Sequence, residues 1–127
     1  MARIVVVEDN ALNIKLFCDL LAAHGHEPHA VTDSREALER AQAVVPDLII
    51  TDIQLPHVSG IELIRAFRDD EALKDVPIMA VTAYAAAGDD ERIREAGAQA
   101  YVSKPISVVR FVQEVTALLE NKEPVAG

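Results

Sequence analysis

Apolar residues change their spacing along this chain, and the same change occurs five times. Each short, mostly apolar run is followed by a longer segment in which apolar residues recur every three or four positions. The first pattern is typical of strands inside a parallel sheet, and the second of helices that pack one face against it. The strand-like runs are residues 4–7, 27–31, 48–50, 78–81 and 100–103. The sequence therefore predicts five strands, each followed by a helix.

Cap and break residues predict where the helices begin and end. Asn10 can cap the first helix, which Gly25 ends. Residues 32–36 offer a capping box for the second helix, which Pro46 ends. The third helix is predicted from Gly60, the fourth from Asp89 to Gly97, and the fifth along an apolar stripe from Val108 to Leu119. Residues 1–120 are predicted to form one domain, and residues 121–127 a short flexible tail.

The alternation of strands and helices predicts the fold class. Strand–helix units of this length require right-handed crossovers, which make the strands parallel and place helices on both faces of the sheet. We therefore expect an α/β fold with a doubly wound, five-stranded parallel sheet and five helices. The predicted strand order is 2-1-3-4-5, and ligands are expected at the carboxyl ends of strands 1 and 3, where that order reverses.

Composition and charge exclude several functions. The 127 residues carry a formal net charge of −9, which disfavours binding to nucleic acid phosphates. No apolar run approaches the roughly 18 residues of a membrane span, and the N-terminus lacks the pattern of a signal peptide. We therefore expect a cytoplasmic protein that does not insert into membranes.

Polar residues follow four of the five predicted strands. They are Glu8 and Asp9 after strand 1, Asp52 after strand 3, Thr82 after strand 4 and Lys104 after strand 5. In the predicted order the three carboxylates share one pocket, where their repulsion either raises the pKa of one of them or recruits a hard cation such as Mg²⁺. Lys104 and Thr82 add a cation and a hydroxyl suited to a phosphoryl group. Asp52, predicted to be central and exposed in a loop, is the expected nucleophile for an aspartyl phosphate.

Other candidate residues are assigned no chemical role. Cys18 is expected to be a small buried apolar residue. His24, His26 and His29 lack a recognised metal-ligand spacing and are expected in a solvated loop. His57 follows Asp52 closely, but nothing in the pattern supports it as a catalytic base.

Several motifs together resemble the receiver domain of bacterial two-component response regulators. They are Glu8-Asp9-Asn10, Asp52 followed by Leu55-Pro56 and Gly60, Val81-Thr82-Ala83, and Lys104-Pro105. The resemblance extends from Arg3 to about Glu120 and implies a flavodoxin-like fold. Residues 7–17, with residues 89–95 and 103–107, are most similar to single-domain members of the family.

The resemblance implies a role for each matching residue. Asp52 would accept phosphate from a histidine kinase or histidine phosphotransferase. Asp9, Asp52 and the backbone carbonyl of Gln54 would bind Mg²⁺, with Glu8 reaching the metal through water. Thr82 and Lys104 would bind the phosphoryl oxygens, and the peptide bond before Pro105 would be cis.

The resemblance also implies a switch. Tyr101 would swing inward when Thr82 moves to the phosphate, although a half-buried aromatic residue that never moves would show the same pattern. Gln54 and Tyr84 occupy positions that control water access to the phosphate. Tyr84 could slow hydrolysis, or it could be an exposed docking residue.

The expected function is regulation through protein contacts and not turnover of a substrate. The family implies that the protein only accepts a phosphoryl group and slowly removes it again. It implies that downstream protein targets bind helix 4, strand 5 and helix 5, and the protein could control the cell cycle or cell polarity. The protein would be either a monomer or a phosphorylation-dependent dimer. An Mg²⁺-dependent aspartyl-phosphate phosphatase is an alternative, but such enzymes carry a second Asp where Gln54 stands. A receiver-like binding module that is never phosphorylated is the other alternative.

Overall fold

The structure, a computed structural model, describes residues 2–83 and 89–121. Its elements in chain order are β1 (Arg3–Val7), α1 (Ala11–Ala23), β2 (Glu27–Val31), a 3₁₀ turn (Ser34–Glu36), α2 (Ala37–Val44), β3 (Leu48–Asp52), α3 (Gly60–Asp69), β4 (Ile78–Thr82), α4 (Asp89–Ala96), β5 (Ala100–Ser103) and α5 (Val108–Asn121). Every strand is followed by a helix, as the spacing of apolar residues predicts. No helix in these ranges is long and apolar enough to cross a membrane.

The five strands form one parallel sheet in the order β2-β1-β3-β4-β5, which confirms the predicted topology. β3 is the central strand, and all five of its residues are buried. Because successive side chains of a strand point to opposite faces, its apolar residues are shared between two core layers.

Each face of the sheet has its own core. Helices α2, α3 and α4 cover one face, where Phe67 and Ile93 pack with Ile49. On the other face α1 and α5 meet over Ile50, and Phe17 stacks on Phe111 with ring centroids 5.1 Å apart. With a helical layer on both faces, polar side chains of the central strands can meet solvent only at the strand ends.

Local details depart from the sequence-based expectations in three places. Residues 32–36 form no capping box: Asp33 caps a 3₁₀ turn, and α2 starts at Ala37 without a side-chain cap. His29 lies on β2 and bonds Glu27 at 2.6 Å, so it is not in a loop. Cys18 is half-buried and not fully buried. The predicted tail, beyond the backbone of residue 121, lies outside the described residues.

Candidate functional site

The register of the sheet brings the predicted site residues to one edge. Val7 pairs with Thr51, so Glu8 comes level with Asp52 across β1 and β3. Thr82 pairs with Ser103, so Lys104 follows directly beside Thr82. All of these residues lie at carboxyl ends of parallel strands, and Glu8 and Asp52 lie at the ends of the two strands between which the strand order reverses.

Three carboxylates form a cluster at this edge. Ligand oxygens of Glu8, Asp9 and Asp52 lie within 4.8 Å of one another, and among the residues described this is the one group of three or more potential metal ligands. Glu8 is 1% exposed and Asp52 is 4% exposed, while Asp9 is open to solvent. The expectation that Asp52 is exposed in a loop is therefore wrong: it is the last residue of β3, and the neighbouring loops cover it.

Lys104 bridges the two buried acids. Its Nζ donates to Asp52 Oδ2 at 2.8 Å and to Glu8 Oε1 at 3.2 Å. The backbone N–H of Gln54 donates to Asp52 Oδ1 at 3.1 Å. The lysine therefore holds the carboxylate of Asp52 at the strand end and brings a positive charge to it.

Asn13 holds Glu8 from the other side. Its Nδ2 donates to Glu8 Oε1 at 2.6 Å, from the first turn of α1, which Asn10 caps. The second carboxyl oxygen, Glu8 Oε2, is buried and has no hydrogen-bond partner. A buried oxygen without a partner is costly unless a ligand or water completes its coordination.

The two buried carboxyls have pKa values that are shifted in opposite directions. Burial, followed by the close approach of the Asp52 carboxyl, raises the pKa of Glu8 from 4.5 to about 7. Burial alone would raise the pKa of Asp52, but the neighbouring Glu8 carboxyl and hydrogen bonds from Lys104 and the Gln54 N–H outweigh it and hold that pKa below its ordinary value. Burial acts against the charge of Lys104 as well, yet its two carboxylate partners raise its pKa.

The cluster suits a hard divalent cation. Its three carboxylates face one lysine, so the fully ionised site carries excess negative charge. The partnerless Oε2 of Glu8 supplies an oxygen that no protein donor occupies. Oxygen ligands with one side open to water are the environment that Mg²⁺ prefers.

Close packing shapes the loop after Asp52. A Cβ on Gly60 would lie 2.2 Å from the carbonyl oxygen of Asp52 and 2.6 Å from the Cα of Ile53, so only glycine fits there. Ser59 caps α3 by accepting the N–H of Glu62 at 3.2 Å. The loop therefore turns sharply back against the end of β3, with Gln54 on its exposed side.

The residues of the proposed switch lie on the neighbouring strands. Thr82 is buried at the end of β4. Tyr101 on β5 is half-buried, and the guanidinium carbon of Arg94 lies 5.8 Å from its ring centroid. The Lys104-Pro105 peptide bond is cis. Tyr84 lies outside the described residues.

Two residues at or near the site had no role assigned from the sequence. Asn13 lies in the stretch that resembles single-domain receivers, but no role was assigned to it there. Its bond to Glu8 becomes visible only in the folded structure, where α1 follows the end of β1. Ser34 was placed only within the predicted capping box of residues 32–36, yet its buried hydroxyl bonds two residues of the loop after Asp52. His57 is exposed in that loop with a φ of 72°. Contacts between such distant positions leave no signal in a single sequence.

Known proteins resemble this chain over most of its length. A profile described as the response regulator receiver domain matches residues 4–116. The polar-differentiation response regulator DivK of Brucella ovis is 51% identical over 116 residues, which are 91% of this chain and 94% of that protein. Chemotaxis protein CheY4 of Vibrio cholerae has a TM-score of 0.88 at 26% identity, over 93% of this chain and 98% of its own. A sensor histidine kinase receiver domain from Pseudomonas aeruginosa, solved with a magnesium ion coordinated in its active site cleft, has a TM-score of 0.86 at 30% identity, over 94% of this chain and 98% of its own.

Proposed function

We propose, from the premise that this chain belongs to the response regulator receiver domain family, that it is a DivK-like regulator whose Asp52 accepts a phosphoryl group from a phosphohistidine. One observation carries the proposal. The carboxylate of Asp52 ends the central strand, 2.8 Å from Lys104 Nζ and within a cluster of three acids. A nucleophile, a cation and a metal-binding cluster are therefore within reach of one reacting phosphorus atom.

The transfer is a displacement at phosphorus. An oxygen of Asp52 forms the new O–P bond while the N–P bond of the phosphohistidine breaks, and its electron pair stays on the imidazole nitrogen. Asp52 is suited to this attack because its depressed pKa keeps it ionised. Lys104 can exchange its bond to Asp52 for a bond to a phosphoryl oxygen, and the hydroxyl of Thr82 can donate to another.

We assign the cluster to Mg²⁺. Asp9, Asp52 and the backbone carbonyl of Gln54 would hold the ion, with Glu8 bound through water. When bound, the ion offsets the repulsion between the phosphoryl group and the carboxylates. The excess negative charge and the partnerless oxygen of Glu8 support this assignment. The similar receiver domain from Pseudomonas aeruginosa was solved with a magnesium ion in its active site cleft, which supports the assignment.

A histidine kinase or histidine phosphotransferase is the proposed donor, in the cytoplasm. The proposed output is the surface of α4, β5 and α5, whose contacts change when Thr82 binds the phosphate and Tyr101 moves. A surface depression of about 320 Å³ on this side is lined by Tyr101, Val102, Ser103, Pro105, Ser107 and Arg110. The likeness to DivK supports control of cell polarity as the process served.

We propose that the protein is not a turnover phosphatase. Gln54 supplies a carboxamide where the alternative phosphatases would need a second carboxylic acid. The complete set of acids, lysine and hydroxyl also supports a receiver that is phosphorylated over a receiver-like binding module that is never phosphorylated.

Labelling by a small phosphodonor tests the proposal. Wild type incubated with acetyl phosphate and Mg²⁺ should gain one phosphoryl group by intact mass spectrometry, and omission of Mg²⁺ should suppress the gain. Asp52→Asn should gain none, whereas Asp69→Asn, which alters an exposed acid on α3, should be labelled like wild type. Undiminished labelling of Asp52→Asn would refute the assignment.

A further inference from the structure

The loop that leaves the proposed phosphoacceptor contains a strained turn at His57. This residue has a φ of 72°, and the N–H of Val58 donates across it to the carbonyl of Pro56 at 2.9 Å. A bond between residues two apart, spanning a positive φ, defines the rare and strained form of γ-turn. For a residue with a side chain, such a turn persists only where its surroundings enforce it.

The hydroxyl of Ser34 engages both ends of this turn. Ser34 Oγ donates to the carbonyl of Pro56 at 2.6 Å and accepts the N–H of Val58 at 3.1 Å. Ser34 is 3% exposed, so water cannot readily replace either bond. Among the side chains outside the loop that residues 2–83 and 89–121 describe, it is the one that hydrogen-bonds residues 55–58.

Ser34 is itself held in a rigid setting. It opens the 3₁₀ turn that Asp33 caps, and the carboxylate of Asp33 accepts both the backbone N–H of Arg35 at 2.9 Å and its guanidinium at 2.7 Å. This turn follows β2, whose last residue accepts the N–H of Glu8 at 3.1 Å. Ser34 and the 3₁₀ turn that carries it are therefore attached to the same sheet edge as the acid cluster.

Two further bonds hold the ends of the loop, and neither involves the carbonyl of Gln54. The N–H of Gln54 bonds Asp52 Oδ1, and the N–H of Gly60 bonds the carbonyl of Ile53 at 2.9 Å. The middle of the loop, two to four residues after Gln54, is the part that Ser34 restrains.

We propose that Ser34 is a positioning residue for the metal site: through the turn at His57 it restrains the loop that carries the carbonyl of Gln54, the proposed backbone ligand of the ion. This inference rests on the proposed function, because the loop matters through the ion that Gln54 would bind. The partners that orient metal ligands commonly change metal affinity by roughly ten- to a hundredfold when removed. Ser34 acts through backbone, so the lower end of that range is expected.

Magnesium titration of matched variants tests the inference. Mg²⁺ affinity is measured by calorimetry for wild type, Ser34→Ala, Ser34→Thr and Ser59→Ala, with urea unfolding of each. Ser34→Ala should bind Mg²⁺ roughly tenfold more weakly, and Ser34→Thr, which keeps the hydroxyl, should bind like wild type. Ser59→Ala removes a hydroxyl that caps α3 from the same loop, so it should lower the urea midpoint without changing Mg²⁺ affinity.

A second variant keeps the test decisive if the added methyl of threonine disturbs folding. Glycine adopts a positive φ without strain, so Ser34→Ala combined with His57→Gly should recover most of the lost affinity. Wild-type affinity in Ser34→Ala would overturn the inference, as would an equal loss in Ser59→Ala or no recovery in the double variant.

The same titrations separate this inference from the proposed function. A wild type that binds Mg²⁺ but gains no phosphoryl group refutes the function, and the Ser34 variants still decide the inference. A wild type that does not bind Mg²⁺ refutes the metal assignment and the inference with it.

Discussion

Glu8 should make the metal-free protein less stable as the pH rises toward 8. Its pKa is about 7 in the folded protein against an ordinary value of 4.5, so the folded state binds a proton that the unfolded state has lost. The contribution to stability is therefore complete below pH 4.5 and is lost as the pH rises through about 7. At about 1.4 kcal/mol per pKa unit, the whole shift is worth about 3 kcal/mol.

Most of this loss of folding stability falls within a pH range in which unfolding can be measured. Integrating the two titrations gives about 2 to 3 kcal/mol between about pH 5 and about pH 8. Asp52 does not interfere, because its lowered pKa leaves it ionised in both states over that range. Burial lowers the pKa of His26, an effect of opposite sign that must be cancelled by a matched control.

Glu8→Gln is that control. Glutamine resembles the protonated acid: its oxygen can accept from Asn13, and its amide can donate toward Asp52. Urea unfolding in EDTA is followed by circular dichroism, because the chain contains no Trp. Wild type should lose about 2 to 3 kcal/mol more than Glu8→Gln between about pH 5 and about pH 8.

Added Mg²⁺ should stabilise wild type at pH 8, where Glu8 is ionised, and should stabilise Glu8→Gln much less. Equal pH dependence of unfolding in the two proteins would refute the raised pKa of Glu8.

Three further substitutions test a strained helix end, the loop after Asp52 and the metal site. Val45 is a β-branched residue with a φ of 53° and is 58% exposed, so Val45→Gly should raise the free energy of unfolding by about 1 kcal/mol, and a lower urea midpoint would contradict this. Gly60→Ala places a Cβ against the backbone carbonyl of Asp52. It should destabilise the protein by about 2 kcal/mol or more and slow the labelling of Asp52 by acetyl phosphate. Wild-type stability and a wild-type labelling rate would show that the loop can move to make room for the methyl group. Asn13→Ala removes the Asn13 side-chain donor to Glu8 Oε1 and should weaken Mg²⁺ binding by roughly tenfold. In a Glu8→Gln background the same change should have little effect on Mg²⁺ affinity. An equal loss of affinity in that background would assign Asn13 a role independent of Glu8.

The sheet and the membership of the site could be predicted because both depend on local patterns. The run from Leu48 to Ile50 lacks polar alternation, which fixed β3 as an interior strand. Once the strands are parallel, their carboxyl ends must share an edge, so Glu8 and Asp52 had to meet there.

The rest depends on contacts between distant positions. The burial of Asp52 results from loops that fold over the strand end, and Ser34 reaches Pro56 across 22 positions of sequence. Likewise, Glu36 stands where a capping box would need it, but the 3₁₀ turn that Asp33 caps intervenes before α2. Contacts between distant parts of the chain decided these cases, and local sequence propensities could not predict those contacts.

The position of the phosphoryl group is the most direct test of the account. Protein phosphorylated by a phosphohistidine donor in the presence of Mg²⁺ is treated with borohydride, which reduces an aspartyl phosphate to homoserine, and the peptides are then sequenced by mass spectrometry. We expect homoserine at position 52 and, in the labelled protein, at no other aspartate. Homoserine at a different aspartate, or a phosphoryl group that resists borohydride on another side chain, would contradict the assignment of Asp52 as the phosphoacceptor.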